Sequence, residues 1–204
     1  MRIKTFMLIA ALGLPSIAAA EDTKTKAADK AQPAKLAPAD LAIVAHVHHV
    51  NVMEVDLGKL AQKQSSAAAV KKYGEMLVRD HGAADKKVSA FAKARGTAVI
   101  PEDKPDTEAD RKQAQASMDR MAKLKTLKGA DFDREFLTMM VEDHDREVAR
   151  TDTAIAAATD PDLKKLLGDH RPVLQRHADA ARDLLKTIAE ATKPTPPKTM
   201  SAPK

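Results

Sequence analysis

Five ionisable residues fall where the surrounding pattern asks for an apolar side chain: Glu54, His81, His144, Glu147 and His177. Glu54 lies between Val50 and Leu57, and His81 sits among Leu77, Ala84 and Val88. His144 and Glu147 interrupt a run of Met140, Val141, Val148 and Thr151, and His177 follows Val173 and Leu174 and precedes Ala181. Burying an unpaired carboxylate or imidazolium is costly, so these groups must share hydrogen bonds, water or a cation. Three imidazoles with one or two carboxylates form a donor set for one ion of Zn, Mn, Fe or Cu, and ligand type alone does not choose among them. The spacing His144-x-x-Glu147 puts both side chains on one helix face, the reverse of the Glu-x-x-His pair of di-iron bundles. Asp80 and Asp143 each precede a histidine and point about 100° away from it on a helix. They read as helix-edge groups or as outer partners of the site.

The same residues admit a polar cluster that only fixes helix register, or a small-molecule pocket. His46, His48 and His49 spread over different faces of one segment and read as surface or rim positions. His170 reads as filling the neighbourhood of Pro172. The nine methionines, mostly at helical spacing, suit core packing better than a copper-binding box. With no cysteine, thiolate zinc sites, iron–sulfur clusters, disulfides and cysteine nucleophiles are excluded. No Ser/His/Asp order, glycine-rich phosphate loop or HExxH motif is present, so hydrolase and nucleotide-dependent readings lack support, and a non-catalytic role is the expectation.

Positioning these residues falls to helices, because Gly and aromatic residues are scarce while Ala, Leu, Lys, Glu and Asp abound. Apolar stripes of helical period run from Asp40 to about Gln64, about Ser66 to Arg95, about Asp131 to Ala158, and from Asp160 onward. Gly96 stands where a C-terminal cap belongs, and Asp160-Pro161 supplies a capping acceptor with proline at the first helical position. Pro172 predicts a kink inside the last helix. Short joints near residues 66 and 160 make two antiparallel hairpins, and the long crossover between them carries a weaker helix from about Asp106 to Lys125. The expected fold is all-α, a ferritin-like antiparallel four-helix bundle with one long crossover. Counting from the turns sets His144 level with about residue 176, beside His177. Glu54 falls level with about residue 78, roughly 4.5 Å of helix rise from His81. A weak repeat at an offset of 63 residues aligns Tyr73 to His81 with Phe136 to His144.

The net charge of +5 belongs to the ends, since Asp40 to Thr192 is close to neutral. That argues against a nucleic-acid surface, as does the 2% aromatic content. Arg2 and Lys4, an apolar run from Phe6 to Leu14, and Ala18-Ala19-Ala20 read as a cleaved secretory signal over residues 1–20. Residues 21–39 then form a disordered linker, 40–192 the helical domain, and 193–204 a disordered Pro/Lys tail. No later segment is long and uncharged enough to span a bilayer, so the expected location is the periplasm, without stable membrane insertion.

Asn51-x-x-Glu54-Val-Asp-Leu-Gly58-Lys-Leu-Ala61, Asp80-His81, Phe132-Asp133, Met140-Val with His144, and Pro172-x-x-x-x-His177 follow in order behind the signal. This pattern resembles the exported bacterial family called domain of unknown function 4142, from about residue 40 to residue 190. The resemblance implies a ferritin-like fold and assigns no biochemical activity. The functional expectation is a periplasmic domain that binds or senses a transition-metal ion through Glu54, His81, His144, His177 and Glu147. The alternative is a structural or stress-response envelope protein acting through its surface and tails.

Overall fold

The computed structural model describes residues 35–105 and 107–191. The expected signal at 1–20, most of the expected linker and the expected tail lie outside the described residues. Five helices are described: α1 (Pro38–Gln64), α2 (Ala68–Ala94), α3 (Glu108–Thr126), α4 (Gly129–Ala157) and α5 (Pro161–Ala191). No strand occurs among the described residues. Joints of three residues fold α1 back on α2 and α4 back on α5, and α2 against α5 and α1 against α4 unite the two hairpins.

Each long helix buries a stripe of three- and four-residue spacing, such as Val47, Val50, Asn51, Glu54, Leu57, Gly58 and Ala61 on α1. Along the bundle the apolar side chains form two clusters. One holds Leu57, Tyr73, Leu77, Phe132, Phe136 and Met140, and the other holds Val44, Val88, Phe91, Leu163 and Leu167. Asn51, Glu54, His81, His144, His170 and His177 fall between these clusters on their respective helices. The ionisable residues therefore occupy a layer in mid-bundle with apolar packing on either side.

Register is fixed by contacts at the turns and at one helix crossing. Asp40, at the start of α1, accepts from Thr159 N (2.8 Å), Thr159 Oγ1 (2.6 Å) and Asp160 N (3.0 Å) in the α4–α5 turn. Arg95, at the end of α2, donates to Asp160 and Asp162 in the same region. Asp160 also accepts from the amides of Asp162 and Leu163, which is the N-terminal cap expected for α5. At the α1–α2 crossing, a Cβ on Gly58 would lie 2.5 Å from the Gly74 carbonyl oxygen, and one on Gly74 2.6 Å from that of Gly58. Only glycine on both helices permits this approach.

α3 buries Leu124 alone and opens with a capping box between Thr107 and Asp110. Arg120 and Lys123 hold it to α4 through Glu135, and Arg120 also reaches Glu142. α5 runs unbroken through Pro172, whose missing N–H leaves the exposed Gly168 carbonyl without its i+4 donor.

Candidate metal centre

Three imidazoles converge in the mid-bundle layer from three helices. His81 of α2 is 0% exposed, and His144 of α4 and His177 of α5 are 1% exposed. His81 Nε2 lies 3.4 Å from His144 Nε2 and 3.2 Å from His177 Nδ1. One ring nitrogen from each histidine falls within 4.8 Å of the others.

The outer nitrogens decide where the protons sit. His144 Nδ1 donates to the Met140 carbonyl at 2.9 Å, one turn earlier on α4. His177 Nε2 donates to Asp80 Oδ2 at 3.1 Å, and His81 Nδ1 donates to Asn51 Oδ1 at 2.9 Å. A carbonyl and a carboxylate can only accept, and a neutral imidazole carries one N–H. With the outer nitrogens protonated, the three inner nitrogens present bare lone pairs to one another. Rotating the Asn51 amide does not repair this. It would give Asn51 Nδ2, which has no partner, a bond to His81 but strand the oxygen, and one proton would still serve three nitrogens.

Burial works against the simple remedy of protonating a ring. Burial, reinforced by the neighbouring histidines, holds His81 well below the usual imidazole range and pushes His144 down to about 3. Burial also outweighs the attraction of Asp80 and lowers His177. Asp80 stays ionised because its bond to Arg79 and, after it, its bond to His177 outweigh its partial burial. Tyr73 donates to the His177 carbonyl at 3.1 Å, which helps fix α5 at this height.

Residues 25–184 match the profile described as "Domain of unknown function (DUF4142)". The chain belongs to the DUF4142 family. No curated protein matches it. Among solved structures it is similar to "Crystal structure of DUF305 fragment from Deinococcus radiodurans", at 20% identity and a TM-score of 0.57, covering 77% of this chain and 97% of that one. At that identity the likeness shows a shared helical fold alone.

Of the five residues singled out in this DUF4142 chain, the structure brings His81, His144 and His177 together and leaves Glu54 and Glu147 outside that group. Glu147 accepts from His46 Nε2 at 2.9 Å, while His46 Nδ1 bonds Asp103 at 2.8 Å. Burial alone would lower His46, but Glu147 and then Asp103 outweigh it and raise its pKa. Glu54 is 2% exposed, and its Oε2 has no hydrogen-bond partner. Burial, followed by the charges of Asp143 and Glu147, pushes it well above the usual carboxylate range, so its neutral form is favoured. Two residues carry more than their sequence positions suggest: Asn51, which orients His81, and His170, whose ring centroid lies 5.9 Å from that of His81. Both lie on buried stripes, and His170 precedes His177 by two helical turns.

Proposed function

We propose that this chain is an exported ferritin-like domain that holds one transition-metal ion on His81 Nε2, His144 Nε2 and His177 Nδ1. One observation carries the reading: three buried ring nitrogens, each bare because its partner nitrogen donates outward, with His81 Nε2 3.4 Å from His144 Nε2 and 3.2 Å from His177 Nδ1 and all three within 4.8 Å of one another. A tetrahedral ion with metal–nitrogen bonds of about 2.0–2.1 Å sets its ligand nitrogens about 3.3–3.4 Å apart. The outward bonds to Met140, Asp80 and Asn51 are the kind that orient ligand histidines and raise their basicity.

Imidazole donors suit zinc, copper and iron, whereas manganese favours carboxylate and carbonyl oxygen, so manganese ranks last among the four. The near-complete burial of the rings suits holding or sensing an ion better than turning over an organic substrate. Two surface grooves, of about 680 and 340 Å³, are lined by other residues, including Val141, Arg182 and Leu185 in one and Met53, Leu60 and Met121 in the other. The ferritin-like assignment rests on two hairpins joined by a long crossover. Export rests on the signal-like residues 1–20, and intact mass of protein recovered from the periplasm should correspond to a chain starting at Glu21.

Calorimetric titration with Zn²⁺ tests the metal reading. The wild type should bind one equivalent, and His144→Ala should weaken binding by far more than tenfold while His48→Ala has little effect. Binding should weaken as pH falls through the imidazole range, because each ligand nitrogen must be unprotonated. A wild type that takes up none of Zn²⁺, Cu²⁺, Fe²⁺ or Mn²⁺ would leave the polar layer a purely structural device.

A further inference from the structure

The three inner nitrogens lie within 4.8 Å of one another, and α5 carries a fourth imidazole at the same layer. The centroids of His81, His144 and His177 are 5.0–5.6 Å apart, and His170 lies only slightly farther from His81, at 5.9 Å. Its ring nitrogens, unlike Asn51 Nδ2 and Glu54 Oε2, are not sealed from solvent, and no protein group among the described residues ties them down, although the residue as a whole is only 9% exposed. A ring whose nitrogens are held by no protein group can turn toward an ion without breaking a hydrogen bond. Its electrostatic influence reaches His81 and His144, and it is itself influenced by His177 and Glu147.

Two further features set His170 apart from the other three. It is the least buried of the four. It also stands on the turn of α5 between Gly168 and Pro172, where the helical hydrogen bond between those residues is missing. A Cβ at Gly168 would meet nothing within 4 Å, so the outer face of this turn is open, while Leu167 anchors its inner face. Farther along α5, Leu174, Ala178 and Ala181 are packed at 2% exposure or less.

We propose that His170 is the fourth ligand of the ion held by His81, His144 and His177, and that it closes the site against solvent. This rests on the three-histidine reading above. The chemistry is ligand exchange: neutral His170 replaces a water on an ion already held by three imidazoles, and releases its nitrogen again when the ion leaves. His170 stands outside the group of three nitrogens that lie within 4.8 Å of one another, so its ring must move inward to bind, and the Gly168–Pro172 joint is where α5 can give.

Zinc-loaded full-length protein gives the most direct count. X-ray absorption at the zinc edge should show four imidazoles in the wild type and three imidazoles with one oxygen in His170→Ala. Release of Zn²⁺ to excess EDTA should be at least about tenfold faster in His170→Ala, and added free imidazole should slow it again. His170→Gln, which keeps more of the side-chain volume, serves the same comparison if the alanine variant folds poorly. A wild-type spectrum with three imidazoles and an oxygen, or equal release rates in wild type and variants, would overturn the role of His170 while leaving the three-histidine site standing. Failure of the wild type to take up any of Zn²⁺, Cu²⁺, Fe²⁺ or Mn²⁺ would overturn both.

Discussion

Lowering the pH of the metal-free protein from 7 to 5 should destabilise it through its buried histidines, and the size of the effect follows from two of them. His144 and His170 are held near pKa 3 and 4 by burial, whereas the unfolded chain titrates near 6.5. At pH 5 the unfolded state has taken up a proton at each site and the folded state has scarcely begun to. A base whose folded pKa is depressed gives stability that is present above the unfolded value and is lost as pH falls from 6.5 toward the folded value. Each protonation difference is worth about 1.4 kcal/mol per pH unit, which integrates to about 2 kcal/mol per histidine between pH 7 and pH 5. His81 and His177, also depressed, act in the same direction. Glu54 acts in the opposite one, since a carboxyl raised in the folded state gains stability as pH falls. A difference measurement isolates one site: urea unfolding in EDTA should show the wild type losing about 2 kcal/mol more than His170→Gln between these pH values. Equal losses would refute the claim that His170 is held neutral by burial.

Glu54→Gln should leave stability at pH 7 within about 1 kcal/mol of the wild type, because burial, with Asp143 and Glu147, shifts the carboxyl toward its neutral form, which the amide resembles. Zinc affinity in that variant should change less than in any triad variant, and calorimetry reads this directly. Gly58→Ala should cost about 1–3 kcal/mol by urea unfolding, since its methyl would sit 2.5 Å from the Gly74 carbonyl and force α1 away from α2. Hydrogen exchange should find α3 faster than the four long helices, because Leu124 is its one buried residue.

The four long helices were legible because their stripes keep helical period and their turns carry strong signals, such as Asp160-Pro161 and Gly96. The three histidines were legible for the related reason that a polar residue on an apolar stripe breaks the pattern. Glu54 breaks it equally, yet helix rise separates it from the group. About the turn near residue 66, Asn51 and not Glu54 is level with His81, and it is Asn51 that bonds the ring. An amide on a buried stripe stands out less than a carboxylate, so its role emerged only once its partner was placed. His170 was hidden differently. Its position beside Pro172 suggested a local packing role, and only the approach of α2 to α5 brings its ring against His81. Glu147 shares a helix face with His144, but His46, from a different helix, takes up its carboxylate. Spacing along one helix cannot foresee a partner supplied by another.

Anomalous diffraction at the zinc edge, from crystals grown with one equivalent of Zn²⁺, tests the central claim most directly. The account predicts a single strong peak in mid-bundle, about 2.0–2.1 Å from His81 Nε2, His144 Nε2 and His177 Nδ1. A peak confined to surface carboxylates or to the exposed His49, with the three buried rings unmoved and unliganded, would contradict it.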